Sequence, residues 1–270
     1  MSSSTKQATL MLLTAGLGLL VPTSIAFGGP SARDIMEKVT LTRKLAGSEA
    51  AVKMTIANDK GQTRERAITM ATKLYDDGKT EKRIYRFQAP ADVKGTGVLV
   101  FDYEREADDV WVYLPALRKT RRIVSTQRAQ SFMGSEFSYG DLNVPALDDY
   151  DYKLLGEEAA GGEPCWMIEV LPKSKPIAES DGYAKKTYWV SKAKHVVRRG
   201  VYYDLAGKVL KELECDGITL LDAKNQRYRP LRMKMTNKQN GRSSLFVSEK
   251  IAFNAAANDE YFTPRYLERQ

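Results

Sequence analysis

His195 is the only histidine in the chain, so a Ser-His-Asp triad would have to draw all its base chemistry from that one position. It falls between Lys194 and Val196 in a stretch that reads as a strand, where a structural or surface role is the plain expectation. Ser191 to Lys194 has the serine-lysine spacing S-x-x-K, whose chemistry needs a helix to set the serine one turn from the lysine, yet apolar strands flank it and predict a hairpin. Lys94-Gly-Thr-Gly97 imitates a phosphate loop, but it leads into a strand and no helix N-terminus follows to hold an anion; Gly95 and Gly97 are expected to mark a bulge or turn. Asp148, Asp149 and Asp151 lack the offsets of a calcium loop and read as a solvated acidic loop. One histidine and two distant cysteines cannot build a zinc motif. No catalytic residue, metal ligand or cofactor is assigned.

The elements that would hold any site are mostly strands. Ser31 to Asp34 has the form of a capping box, and Ile35, Met36, Val39 and Leu45 recur at helical spacing up to Gly47, which predicts one amphipathic helix. The period then changes to two. Val52, Met54 and Ile56 alternate with polar neighbours, Asn58 to Gly61 turns the chain, and Ile68 to Leu74 and Arg83 to Phe87 complete a meander. Gly95 to Tyr103 and Val110 to Leu114 are strand-like. Both faces of the latter are apolar, so it is expected to be covered on both sides and to end at Pro115. Arg118 to Leu142 is the least regular stretch and reads as an insertion, and Pro145 to Asp151 as an acidic loop. Strands resume at Cys165 to Leu171, Lys185 to Val190, His195 to Asp204, Lys208 to Glu214, Leu231 to Thr236 and Leu245 to Phe253. Turn residues separate them, including Asp216-Gly217 and Asn240-Gly241. The pattern predicts a mainly β chain with helices, an antiparallel barrel or curved sheet in one domain over residues 27–270.

The N-terminus bears on compartment. Lys6 is the only charge before Arg33, an apolar run follows from Ala8 to Val21, and Ser24-Ile25-Ala26 supplies small residues, so residues 1–26 read as a signal peptide cleaved after Ala26. The run is too short to span a bilayer, and no cysteine lies near the cut for lipid attachment. The mature protein is expected outside the cytoplasm. With 42 Lys and Arg against 34 Asp and Glu the chain carries +8, which in an exported protein points to anionic membrane surfaces or acidic partners and away from nucleic acid. Cys165 and Cys215 could bridge in that compartment, a bond worth about 4 kcal/mol for such a loop, and the sequence leaves their pairing open.

With catalysis set aside, the alternating apolar and aromatic positions have two uses. They fill an ordinary core, or part of them lines a cavity for a greasy ligand, where each buried methylene contributes roughly 0.8 kcal/mol. Trp111 to Ile123, Gln130 to Leu142, Val197 to Asp204 with Gly207-Lys208, and Tyr261 to Glu268 together resemble the LolA-like outer-membrane lipoprotein-sorting proteins over essentially the whole mature chain. The resemblance implies a half-open antiparallel β-barrel, LolA/LolB-like, whose apolar concave side is covered by helices and receives acyl chains. It also implies an RND-type inner-membrane transporter as a partner of this longer branch. The Arg118 to Asp151 region exceeds the shorter carriers, and their ligand-gating arginine has no local motif here.

The expected function is a periplasmic carrier, not an enzyme, passing lipid or acylated lipoprotein between envelope components. The alternatives are a non-carrying accessory subunit of an RND-type transporter and a lipid-ester hydrolase using His195. Trp111, Tyr113, Leu114, Phe132, Met133, Phe137 and Tyr139 are the candidate ligand-binding residues, the last four in a segment flanked by Gly134 and Gly140 that is either a mobile flap or fixed loop packing. Trp111 and Tyr113 share a face by parity, though parity does not say which. Arg118, Lys119, Arg121 and Arg122 form the densest basic run and are the candidate contacts for a transporter or for headgroups at a transiently touched membrane surface.

Overall fold

A computed structural model describes residues 29–124, 127–143 and 146–269. The expected signal segment and its cleavage point lie outside these residues. Thirteen strands form one antiparallel sheet: β1 (Gly47–Ala57), β2 (Thr63–Tyr75), β3 (Thr80–Ala89), β4 (Gly97–Tyr103), β5 (Asp109–Leu114), β6 (Lys119–Ile123), β7 (Tyr150–Ala160), β8 (Glu163–Pro172), β9 (Lys185–Ser191), β10 (Val197–Tyr203), β11 (Val209–Asp222), β12 (Arg227–Asn237) and β13 (Ser243–Phe253). Their spatial order is β6-β5-β4-β3-β2-β1-β13-β12-β11-β10-β9-β8-β7. Two meanders are thus joined at the β1–β13 seam, and β6 and β7 are left as free edges. The barrel is half open, with few helices.

The period-two pattern decides which side chains face inward. Register places Val52 beside Ile68 on one flank and Met54 beside Phe246 on the other. Ile68 in turn meets Phe87, and Tyr85 meets Val98. These residues share one buried cluster with Val110, Val112, Leu213, Cys215, Tyr202 and Met235, which makes their face the concave one. On the outer face, Ala71, Ile84, Leu99 and Tyr113 are covered by the C-terminal segment through Ala257, Phe262 and Leu267. That segment ends in the short α3 (Pro264–Leu267). At Gly97 α3 lies close to the sheet: a Cβ there would lie 2.6 Å from Leu267 Cδ1. Gly95, at φ +82°, donates its N–H to Phe87 O at 2.9 Å, so this glycine pair shapes a turn and a close contact.

The helix α1 (Ala32–Arg43) opens on the expected capping box, in which Asp34 N–H donates to Ser31 Oγ and Ser31 N–H to Asp34 Oδ2, both at 3.1 Å. It stops at Arg43 rather than reaching Gly47, because Lys44 is already extended (φ −78°, ψ 108°); Leu45 is buried as linker. Its buried stripe, Ile35, Met36 and Val39, packs on Tyr150, Ile168, Val170 and Val190.

Several elements depart from the sequence expectations. β6 lies within the stretch taken as irregular, since Lys-Thr-Arg-Arg-Ile has no apolar period and becomes a strand by pairing with β5. β7 follows the acidic loop and carries almost no buried side chains, and α2 (Lys175–Asp181) was not foreseen. Asp216-Gly217 is not a turn: β11 runs through it, with Gly217 at φ +63°. His195 lies in the turn before β10, at φ 51°, rather than in the strand.

Candidate functional site

The concave face carries two covers. The first is the segment 127–143, which folds as a small hairpin into the half-barrel. Phe132 N–H donates to Phe137 O at 2.7 Å and Tyr139 N–H to Gln130 O at 3.1 Å, with Met133 and Gly134 at the tip in left-handed backbone (φ 51° and 80°). Phe132 is fully buried. Its ring meets Tyr85 at 5.4 Å, Tyr139 at 5.6 Å, and Phe87 and Phe246 both at 6.2 Å, centroid to centroid. Phe137 packs edge-on to Phe246 at 4.8 Å. These spacings are those of favourable aromatic pairs, and they make the segment a plug.

Polar anchors surround the plug. Glu136 N–H donates to Ser244 Oγ at 2.9 Å, and its carboxylate accepts from Asn237 Nδ2 at 3.0 Å and pairs with Arg242 at 3.1 Å. Asp141 accepts from Ser138 N–H at 2.8 Å and from Tyr183 OH at 3.0 Å, with Lys211 at 3.9 Å. Arg83 donates to Leu142 O, to Asn143 Oδ1 at 3.1 Å and to Asp102 at 2.5 Å. Arg66 holds Met133 O. In this structure the segment is packed against the concave face.

Between the covers stands a buried ion pair, Lys186 Nζ to Asp181 Oδ2 at 2.7 Å, with Tyr150 OH donating to the same oxygen at 2.6 Å. Burial raises the Asp181 pKa, but the Lys186 charge and these two hydrogen bonds outweigh it and hold the carboxyl below its ordinary range. The Lys186 ammonium faces the rings of Tyr150, Tyr183 and Tyr202.

The sequence-derived site residues divide. Leu114, Phe132, Met133, Phe137 and Tyr139 all join the concave cluster. Trp111 and Tyr113 lie on the outer face beneath the C-terminal segment, where Trp111 meets Phe101 at 5.0 Å, so they do not line the concavity. Arg118, Lys119, Arg121 and Arg122 are all exposed along the edge strand β6, and of the four only Arg122 forms an ion pair among the described residues, with Asp109. Exposed Leu117 and Val124 flank the run. Sequence reading missed the interior charges Arg83, Asp141, Lys186 and Arg229; they occupy inward strand or plug positions, and isolated polar residues in an apolar period were the available signal.

His195 stacks on Trp166 at 5.5 Å, and burial and the Lys38 charge lower its pKa. Ser191 Oγ accepts from Lys194 N–H at 3.2 Å and donates to Glu163 at 2.9 Å, so it caps the hairpin. Cys165 is buried on the outer face and Cys215 on the concave face, so the sheet separates the thiols and no bridge joins them. Burial pushes the Cys215 thiol up to about 12. Among the described residues, no cluster of three or more His, Cys, Asp or Glu could hold a metal ion, and no helix is long and apolar enough to cross a membrane.

Known proteins share this architecture. An outer membrane lipoprotein-sorting protein domain from Vibrio parahaemolyticus is 28% identical with a TM-score of 0.80, over 88% of this chain and 98% of that one. A DUF1329 family protein from Desulfovibrio piger is 29% identical with a TM-score of 0.80, over 87% of this chain and 97% of that one. A LolA superfamily protein from Nitrosomonas europaea, 20% identical over 88% of this chain and 100% of that one, has a TM-score of 0.64 and shares the fold. No curated protein matches the sequence. A family model described as "uncharacterized protein" matches residues 79–269, which include the plug, both sheet edges and the closing helix. Together, the half-open barrel, the plug built from the 130–142 motif and these likenesses place the chain in the LolA-like outer-membrane lipoprotein-sorting family.

Proposed function

We propose that the protein is a periplasmic carrier that holds lipid or lipoprotein acyl chains against the concave apolar face and passes them between envelope components. The observation that carries this reading is the kind of cover. An ordinary sandwich core is closed by a second sheet, whereas here thirteen strands present one open apolar surface covered by a helix and a plug. The helix, held by an apolar stripe, can be displaced by a ligand that buries equal apolar area. The Vibrio lipoprotein-sorting domain, 28% identical to this chain, supports the same reading. No chemical step is part of it, and release requires only an acceptor that binds the acyl chain better. The test is to purify the protein from periplasm and extract it for mass spectrometry, with a copurifying acyl lipid expected. Repeated absence of lipid, with no uptake of a fluorescent fatty acid, overturns it.

A second reading is favoured by the basic edge strand: an accessory subunit that docks on an RND-type transporter through Arg118, Lys119, Arg121 and Arg122 and carries nothing. Replacing these four by Glu would then abolish co-purification with the transporter, while a side chain that fills the concavity would change nothing.

A further inference from the structure

The ladder between β12 and β13 stops at Arg232↔Val247, although both strands run on. β12 stays paired with β11 as far as Arg227↔Asp222, and β13 with β1 as far as Ser48↔Phe253. The sequence enforces the parting from both sides. Pro230 has no N–H to give to a ladder, and β13 carries a bulge at Glu249, where Ser248 pairs with Val52 and Lys250 already with Ala51. Two strand edges, Arg227 to Leu231 and Ser248 to Phe253, therefore border one gap inside an otherwise continuous sheet.

A cavity of about 830 Å³ opens at this gap. One wall is the unpaired edge of β13, from Ser248 to Ala252 without a break, and on the other wall Leu231 stands beside Thr219 and Leu221 of β11. Apart from Arg229 Nη1 on Tyr228 O, no group outside the β1 and β11 ladders bonds the backbone of either edge among the described residues. Backbone donors and acceptors left at a strand edge are a template for another strand. An alkyl chain offers them nothing.

The side chains around the gap define what such a strand carries. Ile251, opposite Ala50, and Leu231, on the parity of Met233, lie toward the concave cluster, so the inward positions are apolar. The remaining lining is charged, with Glu49 and Glu249 against Arg86 and Lys250. Glu49 accepts from Asn254 Nδ2 at 3.0 Å and Arg86 donates to Tyr266 O at 2.9 Å, while Glu249 and Lys250 are exposed neighbours on β13. Two acids balance two bases, so the site asks for no net charge.

We propose that this gap is a strand-addition site. An extended, uncharged segment of a partner polypeptide, apolar at alternate positions, enters between β12 and β13 and pairs antiparallel with Ser248 to Phe253. Because β12 runs antiparallel to β13, the guest lies parallel to β12, the weaker pairing, and Pro230 weakens it further. β13 is the main template. The inference goes beyond the carrier reading, and neither needs the other.

The test adds to the mature chain a synthetic peptide of about six residues, valine alternating with threonine, which matches the length of the free β13 edge. Amides of Ser248 to Phe253 that do not pair with β1 are expected to exchange freely in the protein alone and to gain at least about tenfold protection with the peptide. A peptide with proline at its centre, and one with aspartate in place of valine, should each bind at least about tenfold more weakly, the scale of one or two lost backbone hydrogen bonds or of a carboxylate set against Ile251. Ile251→Asp should weaken the valine peptide by a similar factor with the circular dichroism spectrum unchanged. The peptide comparisons use the wild-type chain, so they decide the matter even if that variant fails to fold. Protection on β6 or β7 in place of β13 would assign the peptide to the outer edges of the sheet and overturn the inference, as would equal binding of the valine and proline peptides. No binding at all overturns it and leaves the carrier reading standing.

Discussion

The two halves of the concave face are covered in different ways. Over β1 to β5, β12 and β13 the cover is the plug, whose aromatic rings interlock with the sheet and whose ends are fixed by side chains from β2, β3, β11, β12 and β13. Over β7 to β9 the cover is α1, held by an apolar stripe with few polar ties: the exposed Arg33–Asp148 pair at 2.6 Å, Arg229 to Thr42 O, and Lys44 Nζ to Gly78 O at 2.8 Å. A satisfied buried polar network fixes one geometry, whereas an apolar stripe against an apolar face tolerates displacement. If the half-barrel opens to a ligand, it opens on the helix side, and the plug is its fixed inner wall.

The largest effect is expected at the centre of the plug. Phe132→Ala removes a fully buried ring that touches four others, and should lower unfolding free energy by about 3–5 kcal/mol, read as the urea midpoint. A small loss would make the plug a loose flap and erase the contrast. Next is the post between the covers. Asp181→Asn leaves Lys186 buried without its counter-charge and should cost up to about 3–5 kcal/mol. Because the folded Asp181 pKa lies below its unfolded value of about 3.9, its contribution is fully present above that value and is lost as pH falls through the folded one. The acid limb of the stability profile should therefore be shallower in Asp181→Asn; an unchanged limb would assign acid unfolding to other carboxylates.

Legibility in the sequence followed the apolar period. β1 alternates and β5 is a continuous short apolar run, and both positions were readable before their partners were known. β6 and β7 were not, because edge strands bury little and are held by one neighbour each, so their side chains carry charge instead of a period. The Gln130 to Leu142 motif marked the plug as specific, and its polar letters turn out to be the anchors Glu136, Ser138 and Asp141. Which face Trp111 and Tyr113 take depends on the C-terminal segment covering the outer side, a contact more than 140 residues away in sequence that parity cannot encode. The split between β12 and β13 was invisible from β13, whose pattern runs on to Phe253, while on β12 the expected strand begins only at Leu231, after Pro230, which cannot donate to a ladder.

A smaller change addresses the helix alone. Ser31→Ala removes one arm of the capping box and should cost about 1 kcal/mol. Hydrogen exchange is the sharper measure: amides of Ile35 to Val39 should exchange faster in the variant while those of Phe132 and Tyr139 stay unchanged, because the covers are separately held. Equal acceleration in both would show that they open as one unit.

The smallest effect on stability should come from the edge that borders the opening. Arg118, Lys119, Arg121 and Arg122 are exposed, and only Arg122 forms an ion pair among the described residues, so replacing all four by Glu should move unfolding free energy by no more than about 0.5 kcal/mol per site. Binding should respond differently. Four adjacent cations flanked by exposed Leu117 and Val124 meet an anionic bilayer at about 1 kcal/mol per charge, so sedimentation with phosphatidylglycerol vesicles should be strong at low salt, weaken as salt screens it, and vanish in the reversed variant. Retention of vesicle binding by that variant would move the membrane-facing surface elsewhere.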